Sequence, residues 1–123
     1  HYQPKVSIDK QEFRGAEALI RWHNPQQGLI SPAKFIPVAE ESNLIEHMGR
    51  WVMQTACMQS AKLSKLTGHA FPISVNVSAR QFYHRQFVRS VESMLNKSGL
   101  EPSSLEIEIT EGVLVEQTRQ FIN

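Results

Sequence analysis

The sequence predicts an α/β chain built from strand–helix–strand units around a parallel sheet. Two observations carry this. Ile73, Val75 and Val77 alternate with Ser74, Asn76 and Ser78, and Leu105, Ile107 and Ile109 alternate with Glu106, Glu108 and Thr110, the period-two pattern of strands. Around them lie two stretches whose apolar residues recur at steps of three and four, as on amphipathic helices. Strands separated by such helices imply βαβ connections and therefore parallel pairing.

Taken in order, Tyr2 to Ile8 and Phe13 to Trp22 both read as extended, with the polar Asp9-Lys10-Gln11 between them as the turn of a hairpin. Asn24-Pro25-Gln26-Gln27-Gly28 is a loop by composition. Ser31 and Pro32 supply an N-cap and a first-turn proline, so a short helix is expected from about Ala33 to Glu41. The longest helix starts near Asn43 and stops at Gly68, with Ile45, Met48, Val52, Ala56, Gln59, Leu63 and Leu66 on one stripe. A further helix covers about His84 to Lys97, with Phe87, Val88, Val91, Met94 and Leu95 inside and Gly99 as its stop. The final strand comes next, and from Glu116 the pattern turns helical again. Trp22 and Trp51 are expected to fill core or near-core space.

A length of 123 residues fits one domain with one core. With 13 basic and 12 acidic residues the net charge is +1, which gives no steer toward DNA, RNA or an anionic membrane. No apolar run approaches the roughly 20 residues that span a bilayer, and His1-Tyr2-Gln3-Pro4-Lys5 does not read as a signal peptide. The single cysteine, Cys57, cannot form an internal disulfide; this favours a reducing compartment, the cytoplasm, and a structural thiol. Phosphate loops, dinucleotide fingerprints and nucleophile elbows are missing from the sequence, and the five histidines show no metal-ligand spacing.

Chemistry enters through strand parity. Asn76 opposes Val75 and Val77, Glu108 opposes Ile107 and Ile109, and Glu17 is flanked by Ala16 and Ala18. If the apolar parity packs outward on helices, as in a barrel, the other parity faces the interior and reaches the mouth at the carboxyl ends of the strands. Glu17, Asn76 and Glu108 are hard oxygen donors suited to Mg2+ or Mn2+ rather than zinc. The alternative is that these are exposed groups on a one-sided sheet.

Five sequence blocks then resemble the EAL domain family in order and spacing. They are Tyr2-Gln3-Pro4; Gly15-Ala16-Glu17-Ala18-Leu19-Ile20-Arg21-Trp22; Gly28 to Pro32 with Phe35 to Glu41; Ser74 to Phe82; and Leu105 to Glu111. The resemblance implies a modified TIM-type (β/α) barrel with an antiparallel first strand, of which residues 1–123 form about the N-terminal half. It implies hydrolysis of cyclic di-GMP to the linear dinucleotide with two Mg2+ or Mn2+ ions. By the same likeness Glu17, Asn76 and Glu108 are metal ligands, Glu111 steadies the loop after the next strand, and Gln3, Leu19, Arg21 and Pro32 contact the dinucleotide. Gly112 stands where the family more often has serine. The family's aspartate pair, lysine, glutamate and glutamine of later strands have no counterpart in these residues, so the chain alone is expected to be a poor catalyst and to bind Mg2+ or Mn2+ weakly or not at all. A cyclic di-GMP-binding or self-associating remnant is the alternative. Half of a barrel leaves sheet edges open, so a homo-oligomer is expected.

Overall fold

The computed structural model describes residues 1–10 and 12–109. Tyr2–Val6 (β1) and Phe13–Ala18 (β2) form the expected antiparallel hairpin, its end closed by a 2.8 Å bond from the Ser7 N–H to the Glu12 carbonyl. The extended run does not continue to Trp22. After Ala18 the backbone leaves the sheet, and Trp22–Asn24 (β3) pairs with Gly28–Ile30 (β4) in a separate two-stranded ribbon. The expected loop is the turn of that ribbon: Asn24 Oδ1 accepts the N–H groups of Gln26 at 2.9 Å and Gln27 at 3.2 Å, and Gly28 adopts φ 74°.

Pro32–Glu41 (α1) starts where the Ser31 hydroxyl accepts the Ala33 N–H. Leu44–Thr67 (α2) ends at Gly68, whose φ of 72° lets its N–H reach the Ser64 carbonyl. Ile73–Val77 (β5) is the next strand. The helix expected from His84 begins only at Phe87 and runs to Ser98 (α4); ahead of it a single helical turn, Ala79–Phe82 (α3), is held by a capping box between Ser78 and Gln81. Ser78 and Gln81 stand at the spacing that announces such a cap, which the reading by periodicity passed over. A 3-10 turn at Pro102–Ser104 leads into Leu105–Ile109 (β6).

The main sheet has the order β1-β2-β5-β6, with β2, β5 and β6 parallel and β1 antiparallel to β2. The connections from β2 to β5 and from β5 to β6 carry helices, so the architecture is part of a TIM-type (β/α) barrel with an antiparallel first strand. Ala16, Ala18, Ile73, Val75 and Val77 point at α2 and meet Met53, Ala56 and Cys57 in the core.

The buried face of α2 is rotated from the expected stripe. Met53, Cys57 and Ser60 are buried, whereas Gln59 is exposed and Leu66 is 73% exposed. Small residues win here because they let the helix approach the sheet closely, and the Ser60 hydroxyl donates to the Phe71 carbonyl just before β5. Trp22 and Trp51 are not core residues: they are 45% and 61% exposed, and Trp22 lies edge-on to Phe35 with centroids 5.9 Å apart. Val88, expected inside α4, is also exposed.

Candidate functional site

The face of the sheet opposite α2 carries the polar parity. Gln3 stands in register with Glu17, Lys5 with Gly15, Glu17 with Ser74, and Asn76 with Glu108. Glu17, Asn76 and Glu108 therefore share one face, as strand parity predicted, but their side chains form two groups. Asn76 Nδ2 donates to Glu17 Oε1 at 2.9 Å near the carboxyl ends of β2 and β5. Glu108 Oε1 instead accepts from Lys5 Nζ at 2.9 Å.

Lys5 was not singled out in the sequence, yet it organises this second group. Its ammonium also donates to Ser74 Oγ at 2.5 Å and lies 3.5 Å from Glu106 Oε2, while the Ser74 hydroxyl donates to Glu106 Oε2 at 2.9 Å. The hydrogen bond to Glu108 is the main reason that the Lys5 pKa lies above its ordinary value; the carboxylate charges add to this, and partial burial opposes it. The available signal was parity: Lys5 shares the face of Gln3.

Among the described residues, no group of three or more His, Cys, Asp and Glu gathers at metal-binding distances. The donors at hand are two carboxylates and an amide oxygen, a hard-oxygen set that fits a magnesium-like cation. Lys5 already places one positive charge among these acids and offsets part of their negative charge.

Beside the Glu17–Asn76 pair an open cleft of about 670 Å³ lies between the strand ends, α1 and α2. Leu19, Arg21, Pro32 and Asn76 line it together, with Ile36 and Val52 as apolar wall and Glu40 and Gln81 as further polar groups. Leu19 is held by backbone bonds to His1, its N–H donating to the His1 carbonyl at 2.8 Å and its carbonyl accepting from the terminal amine at 2.9 Å. Arg21 Nη1 donates to the Ile20 carbonyl at 2.8 Å, which fixes one end of the guanidinium. Three of the four expected substrate contacts thus meet in one cleft. Gln3 does not line it; it is exposed on β1, opposite Glu17. Glu111 lies outside the described residues. A guanidinium beside an apolar wall can hold an anionic group next to a flat or apolar one.

The family profile described as the EAL domain matches residues 1–123. Among curated proteins, the bifunctional diguanylate cyclase/cyclic di-GMP phosphodiesterase MucR of Pseudomonas aeruginosa is 48% identical over 112 residues, covering 90% of this chain and 16% of its own length. The oxygen sensor protein DosP of Escherichia coli is 40% identical, covering 98% of this chain and 15% of its own length. Among solved structures, the PaMucR phosphodiesterase in complex with c-di-GMP superposes with a TM-score of 0.90 at 44% identity, over 98% of this chain and 49% of that one. The FimX EAL domain from Pseudomonas aeruginosa bound to c-di-GMP gives 0.82 at 26% identity, over 97% and 47%. The chain therefore spans about a sixth of these curated relatives and about half of these solved domains.

Proposed function

The chain belongs to the EAL domain family, and on that premise we propose that it is the N-terminal half of a metal-dependent phosphodiesterase domain that binds cyclic di-GMP and cleaves it to linear pGpG. The observation that carries this reading is the adjacency of the Glu17–Asn76 pair to a cleft lined by Leu19, Arg21 and Pro32. Acidic oxygens and a fixed guanidinium at one strand edge provide for a cation and a phosphate side by side.

In this reading Glu17, Asn76 and Glu108 hold Mg2+ or Mn2+, which when bound supplies Lewis acidity for a water nucleophile and offsets phosphate charge. Arg21 pairs with a phosphate oxygen of the dinucleotide. Leu19 and Pro32 give the guanine an apolar surface, and Gln3, outside that cleft and opposite Glu17 on β1, contacts another part of the dinucleotide. Glu111 is assigned by family likeness to steadying the loop that follows the next strand. The setting is cytoplasmic, in keeping with one buried free thiol and, among the described residues, no helix long and apolar enough to cross a membrane.

Among the described residues the cleft is lined by residues 18–81, which favours a second reading, binding without cleavage by the chain alone. Titration with cyclic di-GMP tests both. Wild type is expected to bind, and Arg21→Ala to bind about tenfold or more weakly, the loss of one or two charge-assisted hydrogen bonds. Equal affinity of the two proteins would remove Arg21 from the site. Release of linear dinucleotide by the chain with Mn2+ would exclude the binding-only reading.

A further inference from the structure

We infer that Lys5 is a positioning residue for the cation site: its ammonium holds one oxygen of Glu108 and leaves the other as the atom available to a divalent ion. The inference rests on the metal reading proposed above and deepens it.

The placement is a product of the sheet. Lys5 is on β1, yet its partners are on β5 and β6, so the side chain passes over β2. It can do so because its register partner on β2 is Gly15, which puts no side chain in the path. Gly15 is itself required: its φ is 139°, and a Cβ there would lie 2.4 Å from the Pro72 carbonyl oxygen. The glycine that permits β2 to approach β5 thus also opens the route for Lys5.

The hydrogen bonds form a repeated arrangement. The Asn76 amide occupies Glu17 Oε1, and the Lys5 ammonium occupies Glu108 Oε1. Among the described residues, Glu17 Oε2, Asn76 Oδ1 and Glu108 Oε2 take part in no hydrogen bond. Among the described residues, each of the three candidate ligands thereby keeps one oxygen unengaged while a hydrogen bond restrains the group by its other polar atom, accepted by the two carboxylates and donated by Asn76. Carboxylate torsions are broad and soft, so a donor on one oxygen is what restricts where the other points. The second Lys5 bond, to buried Ser74, anchors the ammonium from below. Glu17, Glu106 and Glu108 carry three formal negative charges and Lys5 returns one positive, leaving the charge that one divalent ion neutralises.

Orientation and charge act in opposite directions here, which makes the role measurable. As a bare positive charge, Lys5 repels a divalent cation, and its removal would tighten binding. As an orienting partner of a ligand, its removal weakens binding, by about 10- to 100-fold for such contacts. The probe is Mn2+ alone, titrated into the full chain and followed by loss of the free-ion electron paramagnetic resonance signal. Lys5→Met is expected to raise the Kd for Mn2+ about tenfold or more, and Lys5→Arg, which keeps a donor, to recover most of that loss. An unchanged or tighter Kd for Lys5→Met would overturn the inference. Glu17→Gln separates the two levels. If it weakens Mn2+ binding while Lys5→Met does not, only the role of Lys5 is wrong. If it has no effect, or wild type binds no Mn2+ at millimolar concentration, the metal reading is wrong and the role of Lys5 with it. Circular dichroism checks the fold. Should Lys5→Met be unfolded, Ser74→Ala removes the anchor at nearly constant volume; weaker Mn2+ binding is again expected, and unchanged binding overturns the inference.

Discussion

Cys57 lies where α2 meets the sheet, with no exposed surface, and burial pushes its thiol from 9.0 up to about 11. The folded state therefore favours the neutral thiol. Its contribution is complete below the ordinary pKa and is lost as pH rises from about 9 toward about 11. We expect the denaturation midpoint of wild type to fall more steeply across that window than that of Cys57→Ala. Parallel pH profiles for the two proteins would show that the thiol is not buried in this way. The structural role of this residue was legible in the sequence, because a lone cysteine in an apolar helical stretch has few other uses. Lys5 was not legible. Its partners Ser74 and Glu108 lie 69 and 103 residues away, and strand parity tells only which face it shares, not what it touches. Parity did place Glu17, Asn76 and Glu108 on one face, while the split between Asn76 and Lys5 as partners is decided by side-chain reach.

At the scale of elements, local chemistry was the better guide where it was explicit. Ser31 with Pro32 and the glycines at 68 and 99 mark helix ends as the sequence announced them. Periodicity misplaced the inner face of α2, because it weighs Leu63 and Leu66 above Cys57 and Ser60, whereas close approach to a sheet favours small side chains. It also merged α3 into α4, since apolar spacing alone does not register the break at residues 83–86. The junction of β2 with β5 offers the sharpest test of the packing. Gly15→Ala combines an unfavourable φ with a contact against backbone that cannot rotate away. A loss of about 2–4 kcal/mol is expected in chemical denaturation, above the usual effect of a substitution. A change below about 0.5 kcal/mol, as for ordinary surface sites, would mean that β2 does not approach β5 so closely.

For the molecule as a whole, alternating strands and helices were enough to predict the parallel sheet, the opening hairpin already made the first strand antiparallel to the second, and the family likeness added the barrel. The open arrangement favours association. Among the described residues β1 and β6 are the edges of the main sheet, and edge strands offer unpaired backbone groups to a second copy. Exposed Val6, Ile8 and Phe13 add apolar surface at the β1–β2 end. We expect a two-fold dimer at micromolar concentration, by light scattering coupled to size exclusion. A single monomer peak with no concentration dependence would count against edge pairing. The reversed first strand has one more consequence. Because β1 runs opposite to β2, its start lies at the strand end where the cleft opens, and the His1 carbonyl accepts the N–H of Leu19 in the cleft wall. An environment-sensitive dye on a cysteine substituted for His1, in a Cys57→Ala background, would put a fluorophore at the doorway of the cleft proposed for the dinucleotide, whereas a bulky label there would stand in the same doorway.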